Sequence, residues 1–194
     1  MNKTEEMRKV RDGVVALTGE LAEYRIQEGN HAVLGEGYHD ASIMFVGEAP
    51  GRNEAKTGRP FCGAAGKILD ELLASIGVER ESVYITNIVK DRPPNNRDPS
   101  PGEIETYAPF LDRQIEIIQP KIIATLGRFA MDYIMRKFDL SFEIEPISTA
   151  HGKKYEAETN YGKVMIVPLY HPAAAIYNQS LKETLREDFK ILKN

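Results

Sequence analysis

Three short blocks of this sequence put chemically capable side chains at the ends of apolar, β-branched runs: Glu48 in GEAPGRNEAKTGRPFCGAAG, Asn87 in TNIVKDRPPNN and His171 in YHPAAAIYN. A carboxylate can hold or activate water, and a carboxamide offers a donor and an acceptor on one edge. Imidazole donates a hydrogen bond in either protonation state. Such runs read as strands of a parallel sheet, and ligands of open parallel sheets bind beyond the carboxyl ends of the strands. Blocks far apart in sequence are therefore expected to meet in one pocket.

Each block also has a plain structural reading. Gly47, Pro50 and Gly51 enforce a tight turn that holds Glu48 at its lip, and a short Gly/Pro turn of this kind is equally a generic phosphate-binding element. Phe61 is either a core residue or, between Pro60 and a run of small residues, a pocket wall. Cys62 packs as a small hydrophobe. Gly63, Ala64, Ala65 and Gly66 let a helix N-terminus come close to a phosphate. Asn87 ends an apolar strand, where a buried amide must find partners, whether backbone or ligand. A lone histidine is more often structural, but His171 is followed by Pro172, which restricts its backbone and aims its side chain. His31, His39 and His151 have no comparable setting and read as surface or loop residues.

The elements that must position these groups are legible from periodicity. Met7, Val10, Val14, Leu17, Leu21 and Tyr24 recur at helical spacing, which predicts one amphipathic helix over residues 4–28 stopped by Gly29. Strands are predicted at 43–46, 83–89, 121–126 and 164–169. A helix carrying Ile68, Leu69, Leu72, Leu73 and Ile76 ends at Gly77, and another runs over 128–138. Residues 92–100 hold three prolines and two asparagines and form a loop, after which Ser100 and Glu103 make a capping box for a helix through Ile118. Residues 144–162 read as a hairpin or irregular connection, and Ser180 with Glu183 caps a last helix. The alternation predicts a single three-layer α/β domain over 1–194, with a mainly parallel four-stranded sheet between helices.

At 194 residues and 42% hydrophobic, the chain can bury a full core without disulfides or metals. No apolar run approaches the length a bilayer requires, and the charged start MNKTEEMRKVRD does not read as a secretory leader, so a cytoplasmic protein with no membrane partner is expected. One cysteine leaves no internal disulfide framework. A net charge of −4 argues against indiscriminate coating of nucleic acid, which depends on a wide basic surface. A local basic patch remains: Arg52, Arg59, Lys90, Arg92 and Arg97 all fall in or just after the strand-end blocks, with Lys56, Lys67 and Arg128 beside them.

In order and wording, the three blocks resemble those of the family 4 (thermostable, iron–sulfur type) uracil-DNA glycosylases over nearly the whole chain. The resemblance implies a monomeric repair enzyme that hydrolyses the N-glycosidic bond of uracil in single- or double-stranded DNA after flipping the nucleotide out of the stack. It implies that Glu48 positions water or offsets positive charge on the sugar, that Glu54 is a second acidic pocket position, and that Phe61 stacks on the base. Asn87 would face the N3–H and O4 edge of uracil, and His171 would stabilise charge on O2. Gly47, Ala49, Pro50 and Gly51 would line the substrate, the rim arginines and Lys90 would meet DNA, and Lys153 and Lys154 would touch backbone phosphate. Two other readings stand beside this one: a uracil- or DNA-binding module without turnover, and a glycosylase for another deaminated base such as hypoxanthine.

One departure is large. That family holds a [4Fe–4S] cluster on four cysteines, whereas this chain has only Cys62. The family pattern puts its last two cysteines at Asp91 and Tyr107, and its first pair near Glu20 and Glu23. The expectation is therefore no cofactor and no metal, with a hard-cation site from Glu20, Glu23 and Asp91 as the alternative and Tyr107 pointing to plain packing. After His171, Tyr177 and Gln179 stand where the family commonly has Arg and Pro, which weakens a phosphate contact there.

Overall fold

The computed structural model describes residues 2–193. Its strands are β1 (Glu36–Gly37), β2 (Ile43–Gly47), β3 (Tyr84–Asn87), β4 (Ile122–Leu126), β5 (Tyr155–Thr159) and β6 (Gly162–Leu169). They form one sheet in the order β1-β3-β2-β4-β6-β5, parallel through its four central strands and antiparallel at both edges. The four parallel strands are those expected from the β-branched runs, which are apolar on both faces because helices cover both. The sheet nevertheless has six strands, not four. The two-residue β1 has no periodicity to detect, and β5 (YEAET) is a polar edge strand whose pairing with β6 comes from the tight turn between them.

Helices α1 (Lys3–Val15) and α2 (Glu20–Gln27) replace the single N-terminal helix that periodicity suggests. The chain breaks at Gly19, whose φ of 115° is open to glycine and strained for other residues. The remaining helices are α3 (Arg52–Thr57), α4 (Ala64–Ser75), α5 (Pro101–Ile118), α6 (Arg128–Lys137), α7 (Ile147–Ala150) and α8 (Gln179–Phe189). The capping box of α5 is present in full, with Ser100 and Glu103 satisfying each other's backbone N–H groups. For α8 the cap is Asn178, not Ser180: its Oδ1 accepts the Leu181 N–H at 3.0 Å, so the helix starts one residue before Ser180.

The sheet separates two apolar layers. Met7 and Val10 of α1, Leu111 and Ile115 of α5 and Met131 and Ile134 of α6 pack on one face, and Leu69 and Leu72 of α4 with Leu185 and Phe189 of α8 on the other. Among the described residues no helix is long and apolar enough to cross a membrane.

A buried ionic staple ties the N-terminal helices to the sheet. The Arg25 guanidinium of α2 donates to both carboxylate oxygens of Asp91, at 3.0 and 2.8 Å, and to the carbonyls of Val14 and Val15 at the end of α1. Tyr107 of α5 donates its hydroxyl to Asp91 Oδ2 at 2.6 Å. Tyr107 is thus a hydrogen-bond partner and not plain packing. Asp91 is fully buried, and burial raises its pKa against the opposing pull of Tyr107 and Arg25. Removing one member of a buried pair leaves an uncompensated charge. Arg25→Ala is therefore expected to cost about 3–5 kcal/mol, while Arg25→Met with Asp91→Leu recovers most of that loss, as measured by urea unfolding.

Candidate active site

The carboxyl ends of β2 and β3 lie side by side, with Gly47 paired to Asn87 across the parallel ladder. A methyl group on Gly47 would stand 2.3 Å from Asn87 Oδ1 and 2.8 Å from Phe61 Cζ, so only glycine lets the amide and the ring meet at this strand end. Beyond them opens a cavity of about 610 Å³, bounded by Glu48, Glu54, Phe61, Asn87 and His171. The three sequence blocks do converge.

Phe61 has a left-handed backbone, with φ of 46°, which is strained for an aromatic residue. Its neighbours hold it there. Glu54 Oε1 accepts the backbone N–H groups of Cys62 and Gly63, each at 3.0 Å, and Arg80 donates to the carbonyl of Pro60 at 2.7 Å. Glu54 therefore clamps the turn that presents the Phe61 ring, while also lining the cavity. A side chain at Gly66 would lie 1.8 Å from the Phe61 carbonyl, so the start of α4 packs directly against this turn.

The Phe61 ring stacks on His171, with centroids 5.6 Å apart and planes inclined by 30°. His171 Nδ1 accepts the Ala173 N–H at 3.1 Å, which leaves the proton of the neutral ring on Nε2. Desolvation pushes its pKa down to about 4, against a smaller opposing pull from Glu54. At neutral pH the residue is an uncharged donor.

Glu48 is half-buried beside the cavity, and burial raises its pKa; the Asp98 carboxylate adds to the rise and Arg128 opposes it. Asp98 and Arg128 are themselves paired at 3.0 Å. Asn87 is almost wholly buried, yet its Oδ1 has no hydrogen-bond partner. That oxygen is packed against Gly47, and a cavity-lining carboxamide that no protein bond holds by its oxygen is free to turn a polar edge to a ligand.

Of the other residues read from the sequence, Ala49, Pro50, Gly51, Arg52 and Arg97 line the cavity. Lys90 does not belong to the basic rim. It is fully buried under the strand end, so it has no access to a phosphate, because its long side chain turns inward to three protein acceptors. Arg59 is exposed but forked onto Glu36, Arg97 onto Glu103, and Arg92 Nε donates to Asn96. Among the described residues Arg52 makes no ion pair. Tyr177 is 99% exposed on the segment after His171. His39 bonds Thr4 and His151 bonds Asp188. Lys153 pairs with Glu145. Asn53 and Asn96 also line the cavity and carried no signal beyond lying in strand-end loops.

A thiolate-bound iron–sulfur group does not fit these residues. The chain has one cysteine, and Asp91 and Tyr107 are bonded to each other, with Asp91 also bonded to Arg25. A carboxylate site from Glu20, Glu23 and Asp91 is likewise overturned, since Asp91 is committed to Arg25 and Tyr107. Among the described residues no three His, Cys, Asp or Glu side chains stand close enough to hold a metal ion.

Fold and cavity together define an α/β protein with a strand-end cavity lined by an aromatic ring, a carboxamide, an imidazole and carboxylates. Residues 34–193 match the family model described as the uracil DNA glycosylase superfamily, and the chain belongs to that superfamily. It is 54% identical to a type-4 uracil-DNA glycosylase of Sulfurisphaera tokodaii, over 84% of this chain and 74% of that protein. A type-4 uracil-DNA glycosylase of Archaeoglobus fulgidus is also 54% identical, over 81% of this chain and 78% of its own. That of Thermotoga maritima is 42% identical, over 84% and 82%.

Because the fold depresses the His171 pKa from 6.5 to about 4, its contribution to stability is complete above pH 6.5 and is lost as pH falls from there towards 4. An NMR titration of the imidazole nitrogens is expected to show an Nε2-protonated neutral ring with a midpoint near 4. A midpoint at the ordinary value of 6.5 contradicts the desolvated setting.

Proposed function

We propose that this chain excises uracil from DNA as a monofunctional, monomeric, single-domain glycosylase of the cytoplasm that needs no cofactor. Water adds to C1′ of deoxyribose and loses a proton, the bond from C1′ to N1 breaks, its electron pair leaves with the base as an anion that takes up a proton, and an abasic site remains. The observation that carries this reading is the Asn87 carboxamide, which has no protein partner at Oδ1 and lines the same cavity as the stacked Phe61 and His171 rings.

Uracil presents N3–H beside the O4 acceptor, the complement of a carboxamide with its oxygen towards N3; cytosine, with an acceptor at N3 beside an amino donor, needs the same amide flipped. Phe61 covers a face of the ring, and stacking of this kind is worth about 1–3 kcal/mol per base. As the glycosidic bond lengthens, negative charge grows on O2 and positive charge on the sugar. His171 Nε2–H is a preorganised donor for the first, and it needs no protonation to act. Glu48 stabilises the second or holds the attacking water. Glu54 contributes by holding the turn under Phe61. For a protein of net charge −4, DNA binding rests on a local rim, and Arg52, Arg92 and Arg97, with Arg59 further out, are its members.

The lack of need for a cofactor is supported by the single cysteine and by the Arg25, Asp91 and Tyr107 staple, which occupies the positions where the resemblance puts cluster ligands. Metal analysis of purified protein is expected to find no stoichiometric iron. A cytosolic setting is in keeping with a chain that forms no internal disulfide.

The deciding experiment is product analysis on single- and double-stranded oligonucleotides carrying uracil, hypoxanthine, thymine or cytosine. Free uracil is expected. Release of hypoxanthine alone would reassign the substrate, and binding of uracil DNA without release would make the chain a binding module. His171→Ala is expected to lower single-turnover excision by about 100–1,000-fold with DNA binding nearly unchanged, because the charge it meets exists mainly in the transition state. Asn87→Ala is expected to weaken both rate and productive binding.

A further inference from the structure

Lys90 is a lysine buried completely in a protein interior, and among the described residues no carboxylate pairs with it. Burial alone drives its pKa well below the ordinary value. Its Nζ lies 2.8 Å from Thr86 Oγ1, 2.6 Å from the Asn87 carbonyl and 2.6 Å from Gln114 Oε1. Two of these partners are fixed as acceptors by other bonds. Thr86 gives its proton to the Leu34 carbonyl at 2.7 Å, and Gln114 spends its amide N–H groups on the same carbonyl at 2.8 Å and on Tyr84 Oη at 3.1 Å. The Asn87 carbonyl can only accept. Three acceptors converge on one nitrogen, which matches the three donors of an ammonium group.

The third acceptor belongs to the residue that the proposed function makes the base reader. At Asn87 strand β3 ends; the next two N–H groups, of Ile88 and Val89, turn across to the carbonyls of Gly47 and Glu48. The Asn87 carbonyl is thus taken by Lys90 where the regular ladder runs out. On the other side of the same residue, Oδ1 has no protein partner at all. Nothing bonded to that oxygen sets the position of the carboxamide, so its position depends on where the main chain of residue 87 is held.

We propose that Lys90 is a positioning residue for base recognition: gripped by Thr86 and Gln114, it fixes the main chain of Asn87, and thereby the height and angle at which the carboxamide meets the base. An apolar side chain of similar length would fill the same space without the cost of burying an amine. What the amine adds is direction at one carbonyl. The inference rests on Asn87 reading the base, and the test separates the two ideas.

Single-turnover uracil excision and equilibrium binding to uracil DNA are measured for wild type, Lys90→Met, Asn87→Ala and the double variant, each with a thermal melt. Lys90→Met is expected to lower single-turnover excision at sub-saturating enzyme by about 10–100-fold, the scale of a lost hydrogen bond to a charged group, with most of that fall absent once Asn87 is alanine. In the Asn87→Ala background the same substitution should cost less than about 3-fold. Equal losses in both backgrounds would show a general scaffold role and overturn the proposal. No loss from Lys90→Met overturns it too, and no loss from Asn87→Ala overturns both it and the reading of Asn87. If Lys90→Met does not fold, the same cycle is run with Gln114→Met, which loosens the lysine without removing it; there the expected loss is several-fold, again absent without the Asn87 side chain.

Discussion

In the parallel register that joins β2 to β3, Gly47 faces Asn87, and the space a side chain would need at 47 is taken by the Asn87 carboxamide and the edge of the Phe61 ring. This close approach is the constraint on which the cavity depends. It brings a hydrogen-bonding edge and an aromatic face together at one strand end. Phe61 meets this strand end from a left-handed backbone, and that conformation persists because Glu54 and Arg80 bind the peptide groups on either side of it. His171, delivered from β6, closes the stack from the opposite side.

The electrostatics of the site follow from the partial burial of its ionisable groups. The same desolvation that keeps His171 neutral raises the Glu48 carboxyl, so neighbouring groups are tuned by burial more than by charge partners. Where charge is buried outright, the fold supplies hydrogen-bond partners: a carboxylate and two carbonyls for Arg25, the guanidinium and a tyrosine hydroxyl for Asp91, neutral acceptors for Lys90. Both clusters sit on the segment just after β3. The segment that carries Asn87 is therefore held by the Lys90 amine at one point and by the Arg25 guanidinium at another.

The basic rim illustrates how pairing dilutes a surface charge pattern. Arg59 and Arg97 each face a carboxylate, and exposed pairs of this sort are weak and screened. Phosphates can compete for them at little cost, whereas Arg52 is free of an ion pair among the described residues and lies on the cavity wall.

The sequence by itself determined the four parallel strands, the capping box of α5, and the three blocks that furnish Glu48, Asn87 and His171. These are local matters: β-branched runs, cap spacing and Gly/Pro turns act over a few residues. It also determined that no four-thiolate cluster can form, since that is a count of cysteines. Other features were decided by contacts between segments far apart in the chain. Lys90 looks like any strand-end cation until Gln114, from α5, and Thr86 converge on it. Asp91 and Tyr107 look unrelated to Arg25 until α2 folds back over the loop. The edge strands β1 and β5 exist only by pairing with β3 and β6. Burial, partner choice and backbone strain are properties of the assembled core, because each depends on which surfaces water is excluded from, and only tertiary packing settles that.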